Sequence, residues 1–157
     1  MLTVGLHVLA AVVWLGGMLF LALAAPVLRT VEDERVRAGL FGALGRRFRA
    51  VGWVCLALLV VTGIEQLRVR GWWGGTFWRP SELLGSSQGR ELVAKLSLVS
   101  CMIGVQAVHD FWLGPRAGAA AAGSPVAHAW RARASWAARL NALLGIALVF
   151  AAVRLTR

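Results

Sequence analysis

Residues 3–26 read TVGLHVLAAVVWLGGMLFLALAAP, an apolar run whose only ionisable side chain is His7. About 20 consecutive apolar residues suffice to cross a bilayer as a helix. The small residues Ala22–Ala25 give this run the look of a cleavable leader. It lacks a basic segment before it, however, and is longer than the apolar core of a signal peptide. It therefore reads as a retained membrane helix. Three further stretches have the same character: 49–67, 92–113 and 134–153. With no water in lipid to satisfy backbone amides, such stretches form helices. The expected fold is all-α, a single membrane domain of four transmembrane helices packed as a bundle.

The composition agrees. Of 157 residues, 59% are hydrophobic and 15% charged, and mean hydropathy is +0.69. These values exclude a disordered tail, a secreted disulfide scaffold and an ordinary soluble enzyme. Cys55 and Cys101 both lie inside apolar runs and read as packing residues.

The net charge of +10 comes from 16 Arg and one Lys against seven carboxylates. The Arg residues flank apolar runs, where lipid headgroups explain them and nucleic acid does not. Arg29, Arg35, Arg37, Arg46, Arg47 and Arg49 precede or open the second span, and Arg116, Arg131, Arg133 and Arg139 lie around the third connection. Those ten basic residues outnumber the seven at the other end. The positive-inside rule then places both termini outside, in the cytoplasmic membrane of a bacterium. Trp53, Trp112, Trp130 and Trp136 fall near one expected boundary and Trp72, Trp73 and Trp78 near the other, as an aromatic belt requires; only Trp14 is deep. The longest irregular connection, 69–90, is rich in Trp and Gly and should cap the outer end. Residues 32–44 can extend the helices inward, and 118–125 form a small-residue loop in front of His128, which should be exposed.

Ionisable groups inside a span normally face the bundle interior. His7, Ala11, Trp14 and Met18 share one face of the first helix. Lys95, Val99, Met102, Gln106 and His109 share one face of the third. These two helices run parallel, so equal steps give equal depths: His7 lies level with Lys95, Trp14 with Met102, and Met18 with Gln106. Glu65 reaches the His7–Lys95 level from the second helix, and Arg154 is a further candidate there. The outer cluster reads either as a site for a haem, a metal or an anionic substrate, with a Lys95–Glu65 pair, or as side chains snorkelling to the headgroups.

At the other end, His109, Asp110 and Arg116 form a motif with Asn141 and Arg139 at a similar level. Asp110 either orients the imidazole or pairs with Arg116. The whole reads equally as a structural polar knot. A copper site needs soft ligands, and Met18, Met102, Cys55 and Cys101 are available at mid-depth, without a Met-x-x-Met or Cys-x-x-Cys motif. Asn141 and Gly145 suit close helix contact and interhelical hydrogen bonding. No catalytic triad, phosphate loop or paired carboxylates are present, and no catalytic residue is assigned.

The run from His7 through Trp14 and Gly16-Gly17 to Met18 resembles the opening helix of CopD-type membrane proteins. Gly52-Trp53 with Val61-Thr62-Gly63 resembles their second helix, and Lys95-Leu96, His109-Asp110-Phe111 and Gly114-Pro115-Arg116 their third. A more distant similarity joins the His7 and Lys95 helices to HemJ-type membrane proteins, which bind haem b. The resemblance implies a haem b or redox-metal centre for electron transfer or metal handling. His7 would be the first-choice ligand, with Trp14 and Lys95 lining the pocket beside Glu65. A second implication is copper transport or delivery, with His7, Met18, Met102 and His109 as stepping ligands. A third is a non-catalytic accessory subunit of a larger membrane complex or homo-oligomer. Any enzyme activity would be that of a haem-dependent membrane oxidoreductase.

Overall fold

A computed structural model of the chain describes residues 1–121 and 123–154. Its elements are α1 (Leu2–Arg29), α2 (Glu34–Val69), a single 3-10 turn (Gly75–Trp78), α3 (Pro80–Gly85), α4 (Ser87–Val108), a π-helical turn (His109–Leu113), α5 (Gly114–Ala119) and α6 (Pro125–Arg154). No strand occurs among the described residues. Four continuous helical segments are long and apolar enough to cross a membrane: Leu2–Arg29, Glu34–Val69, Ser87–Ala119 and Pro125–Val153. The protein is therefore a multi-pass membrane protein of all-α class.

The helices outrun the apolar stretches because polar residues cap and extend them. The Asp33 carboxylate accepts from the amides of Arg35 and Val36, so α2 starts well before the apolar run at 49. Ser86 caps α4 in the same way through the Gly89 amide at 3.0 Å. Pro125 opens α6 and places the exposed His128 on its first turns rather than in a loop. The connection after α2 turns on Gly71 and Gly74, with φ of 71° and 93°, a region closed to most side chains. Within it Trp72 stacks on Phe77 at 4.9 Å, and the Trp78 indole donates to the Trp72 carbonyl at 2.7 Å.

Packing arranges the spans in a ring. α1 lies along α2 and also touches α6, while α6 lies along α4 and α5. The α1 and α4 helices thus both flank α6, and the Trp53–Asp110 hydrogen bond joins α2 to the α4 arm. Ala10, Trp14, Met18, Cys55, Leu56 and Met102 form the buried core. Trp14 is its centrepiece, 3% exposed. Gly52 lies against its indole, and a Cβ on Gly145 would come within 2.9 Å of its Cζ3, so these two glycines create the slot that admits a tryptophan. Large apolar side chains such as Leu9, Phe20, Leu23, Phe111, Leu143 and Phe150 point outward, as expected where the surroundings are acyl chains.

Candidate functional site

The bundle carries polar side chains at two depths, separated by its apolar core. At the end nearest the N-terminus, Nδ1 of His7 lies 2.7 Å from the Thr62 hydroxyl of α2. That hydroxyl has one proton and directs it to the Leu58 carbonyl at 2.5 Å. It must therefore accept from His7, which fixes the tautomer with Nδ1 protonated and leaves a lone pair on Nε2. The ring is half-buried, with Cε1 facing Gly63. The Lys95 ammonium is within electrostatic reach of the ring from α4, and Arg70 within reach of Lys95.

The expected Lys95–Glu65 pair is not formed. Glu65 is half-exposed and bridges to Arg68, one turn along its own helix, at 3.8 Å. Neighbouring side chains on one helix meet more readily than groups on facing helices. Lys95 has no carboxylate partner among the described residues. The side chain of Arg154, the further candidate at this level, lies outside the described residues.

The second polar set is more extensive and more buried. Asp110 is 5% exposed and accepts three side-chain hydrogen bonds. They come from the Trp53 indole at 3.0 Å, the Gln106 amide at 2.6 Å and His109 Nδ1 at 2.9 Å. The chain continues inward: Asn141 Nδ2 donates to Gln106 Oε1 at 2.5 Å and lies 3.9 Å from the sulfur of Met18. Met18 and Gln106 thus meet at Asn141, and Trp14 and Met102 share the core between the two polar levels. Asn141 Oδ1 and Trp14 Nε1 are buried with no hydrogen-bond partner among the described residues.

Of three sequence expectations at this end, two change and one is decided between its alternatives. First, the buried stripe on the third span continues from Gln106 to Asp110, one turn on, rather than to His109. His109 keeps 30% of its side-chain surface exposed, and its Nδ1–H serves the carboxylate, so its lone pair again sits on Nε2. Second, Asp110 orients this imidazole and does not pair with Arg116. The Arg116 guanidinium stacks over Trp112 and Trp130 at 5.0 and 5.7 Å. Third, Trp53 was expected at the aromatic belt but turns inward as a donor to Asp110; that bond was not foreseen. An indole N–H is a donor without acceptor capacity, and a buried carboxylate is its natural partner.

The four candidate metal ligands are not gathered at one point. His7, Met102, Met18 and His109 occupy successive levels, and no group of three His, Cys, Asp or Glu suited to a metal occurs among the described residues. At 1.5 Å per residue, His7 and Met18 lie ~16 Å apart along the axis. Cys55 joins Met18 and Met102 in the core, whereas Cys101 is exposed.

The comparisons with known proteins come down on one family. Residues 42–155 match the family described as copper resistance protein D, CopD. The matched region begins within α2, so α1 with His7, Trp14 and Met18 lies outside it. A protein of Aquifex aeolicus (strain VF5), carried under the name "Uncharacterized protein", is 33% identical over 152 residues, spanning 96% of this chain and 90% of its own. No solved structure matches. With the match covering most of three of its four membrane-spanning helices, the chain belongs to the CopD family.

Proposed function

We propose that this protein handles copper(I) as cargo, passing it along the bundle axis between His7 and His109. The observation that carries this reading is the donor set. The two histidines, one at each polar level, each commit Nδ1–H to an anchoring oxygen, on Thr62 and Asp110. Each thereby presents Nε2 as a base, the posture of a metal-binding imidazole fixed by its second partner. Between them the core holds Cys55, Met102 and Met18. Thiol and thioether sulfur select cuprous ions over hard cations. The family's description points to the same element. Both termini would then face outside, with the Arg-rich end of the bundle inward.

Haem b fits the bundle interior poorly. His7 is oriented as an axial ligand would be, and Lys95 is placed to meet a propionate. Yet the Trp14 indole occupies the interior between Gly52 and Gly145, where a macrocycle would have to displace it. Two grooves open on the flanks, one between α4 and α6 and one between α1 and α2. No step is assigned to haem.

The test is copper(I) competition against a chromogenic chelator under reducing conditions, on the detergent-solubilised full chain. The wild type is expected to retain copper(I). The Met18→Leu, Met102→Leu double variant should weaken retention at least tenfold, and His7→Ala should slow uptake from one side in proteoliposomes. Wild-type protein that fails to compete for copper(I), or a double variant that competes equally well, refutes the reading. A Soret band in the purified protein would restore haem.

A further inference from the structure

At the Arg-rich end of the bundle, the α4–α5 arm and α6 form an aromatic and cationic cluster that the copper reading does not use. Arg116 stacks over Trp112 at 5.0 Å and over Trp130 at 5.7 Å, while Arg133 stacks over the same Trp130 at 4.8 Å. Two guanidinium groups are thus held against one indole. Neither has a carboxylate partner among the described residues, because the nearby acidic side chain, Glu34, bonds to Arg131 at 3.3 Å. Two guanidinium groups at 5.7 and 4.8 Å from one ring centroid concentrate positive charge there, which an anion would offset. Arg116 also donates from Nη1 to the Trp112 carbonyl at 3.3 Å; stacking on the rings keeps both forks oriented and leaves their remaining N–H groups for an oxygen anion.

The same helix seam continues into the membrane. On α4, Val108, Val105, Gly104 and Cys101 follow Arg116 and Trp112 at one- and two-turn steps along one side. On α6, Ala137 and Leu140 follow Trp130 and Arg133. These six residues line an open, almost wholly apolar groove of about 370 Å³. A Cβ added at Gly104 would meet nothing within 4 Å, so its floor is open space. From the level of Arg116 to that of Val108 is ~12 Å along the helix, comparable to the drop from a headgroup to the upper part of an acyl chain.

We propose that the α4–α6 seam binds an anionic phospholipid, its phosphate between Arg116 and Arg133 and one acyl chain in the groove below. Charge complementarity selects the lipid class, and the apolar groove distinguishes a lipid from a free phosphate. Basic residues near an anionic leaflet are worth about 1 kcal/mol each. Two of them correspond to a preference of ~30-fold for phosphatidylglycerol over phosphatidylcholine of the same chains.

The test is native mass spectrometry of the full chain, delipidated in neutral detergent and titrated with either lipid or with inorganic phosphate. The expected results are the ~30-fold preference in the wild type, a loss of about fivefold in each of Arg116→Gln and Arg133→Gln, and near-equality of the two lipids in the double variant. Gly104→Leu, which fills the groove, should weaken both lipids. Equal binding of the two lipids by the wild type overturns the proposal. So does a preference that survives in the double variant, unchanged lipid binding in Gly104→Leu, or inorganic phosphate bound as tightly as phosphatidylglycerol.

Discussion

Replacing Asp110 by alanine tests whether the inner polar set is a specific network or an incidental cluster. The carboxylate is 5% exposed and receives hydrogen bonds from Trp53, Gln106 and His109. Alanine orphans all three donors at once. Interhelical side-chain hydrogen bonds in membrane proteins average about 0.6 kcal/mol and reach about 1.7. Three of them place the loss at roughly 2–5 kcal/mol, with the largest share from Gln106, the one stranded donor that is buried. Asparagine gives a sharper result. Its oxygen at the Oδ2 position keeps the bonds from Trp53 and Gln106. Its amide at the Oδ1 position donates to His109 once that ring moves its proton to Nε2. Asp110→Asn is therefore expected to cost less than about 1.5 kcal/mol while reversing the His109 tautomer. The assay is reversible unfolding in mixed micelles by increasing SDS fraction, with the His109 tautomer read from ring nitrogen chemical shifts. An Asp110→Ala variant within 0.5 kcal/mol of wild type, or an Asn variant as damaged as the Ala, refutes this account of the network.

Gly145→Ala should destabilise the bundle by about 1–3 kcal/mol, because its Cβ meets Trp14 at 2.9 Å and Leu15 at 3.2 Å in a packed core. Gly52→Ala, whose Cβ stays 3.7 Å or more from Trp14, should change stability by less than half as much in the same micelle titration. Ser86→Ala removes the cap of α4 and should cost about 1 kcal/mol, seen as faster amide exchange at Gly89. Glu34→Ala breaks a half-exposed pair with Arg131 and is expected to shift the unfolding midpoint by the equivalent of no more than about 1 kcal/mol.

The bundle was legible because lipid leaves few options: four apolar runs of spanning length, separated by Arg-rich or Gly-rich connections, admit little but four helices. Depth was also legible. Counting in helical steps from His7 and Lys95 put Met18 level with Gln106, and Asn141 bridges that pair. Partner choice was not. Glu65 turned to Arg68 because a neighbour on the same helix outcompetes a distant ammonium, and no periodicity reports that competition. Arg116 took aromatic faces in place of Asp110, while the carboxylate accepts from three donors on two helices. Trp53 looked like a belt residue by sequence position, and only the approach of α2 to Asp110 makes it a donor.

The separation of the two polar levels bears on what can pass between them. Between Thr62 and Asn141 the described core side chains are Ala10, Trp14, Cys55, Leu56 and Met102, followed by Met18. A sodium or magnesium ion entering that layer would have to shed water with side-chain oxygens only at its two edges, on Thr62 and Asn141, too few to replace a hydration shell. A cuprous ion is weakly hydrated by comparison and gains bonds from sulfur. Trp14 seals the layer against water while Gly52 and Gly145 fix its position. On the proposed reading, selectivity comes from the dryness of this middle layer, and the histidines at either end serve to load and unload. Widening the layer by Trp14→Ala should therefore relax selectivity before it abolishes transport. A variant that leaks protons while still carrying copper(I) would be the expected phenotype, and one that loses copper(I) without leaking would place the path elsewhere.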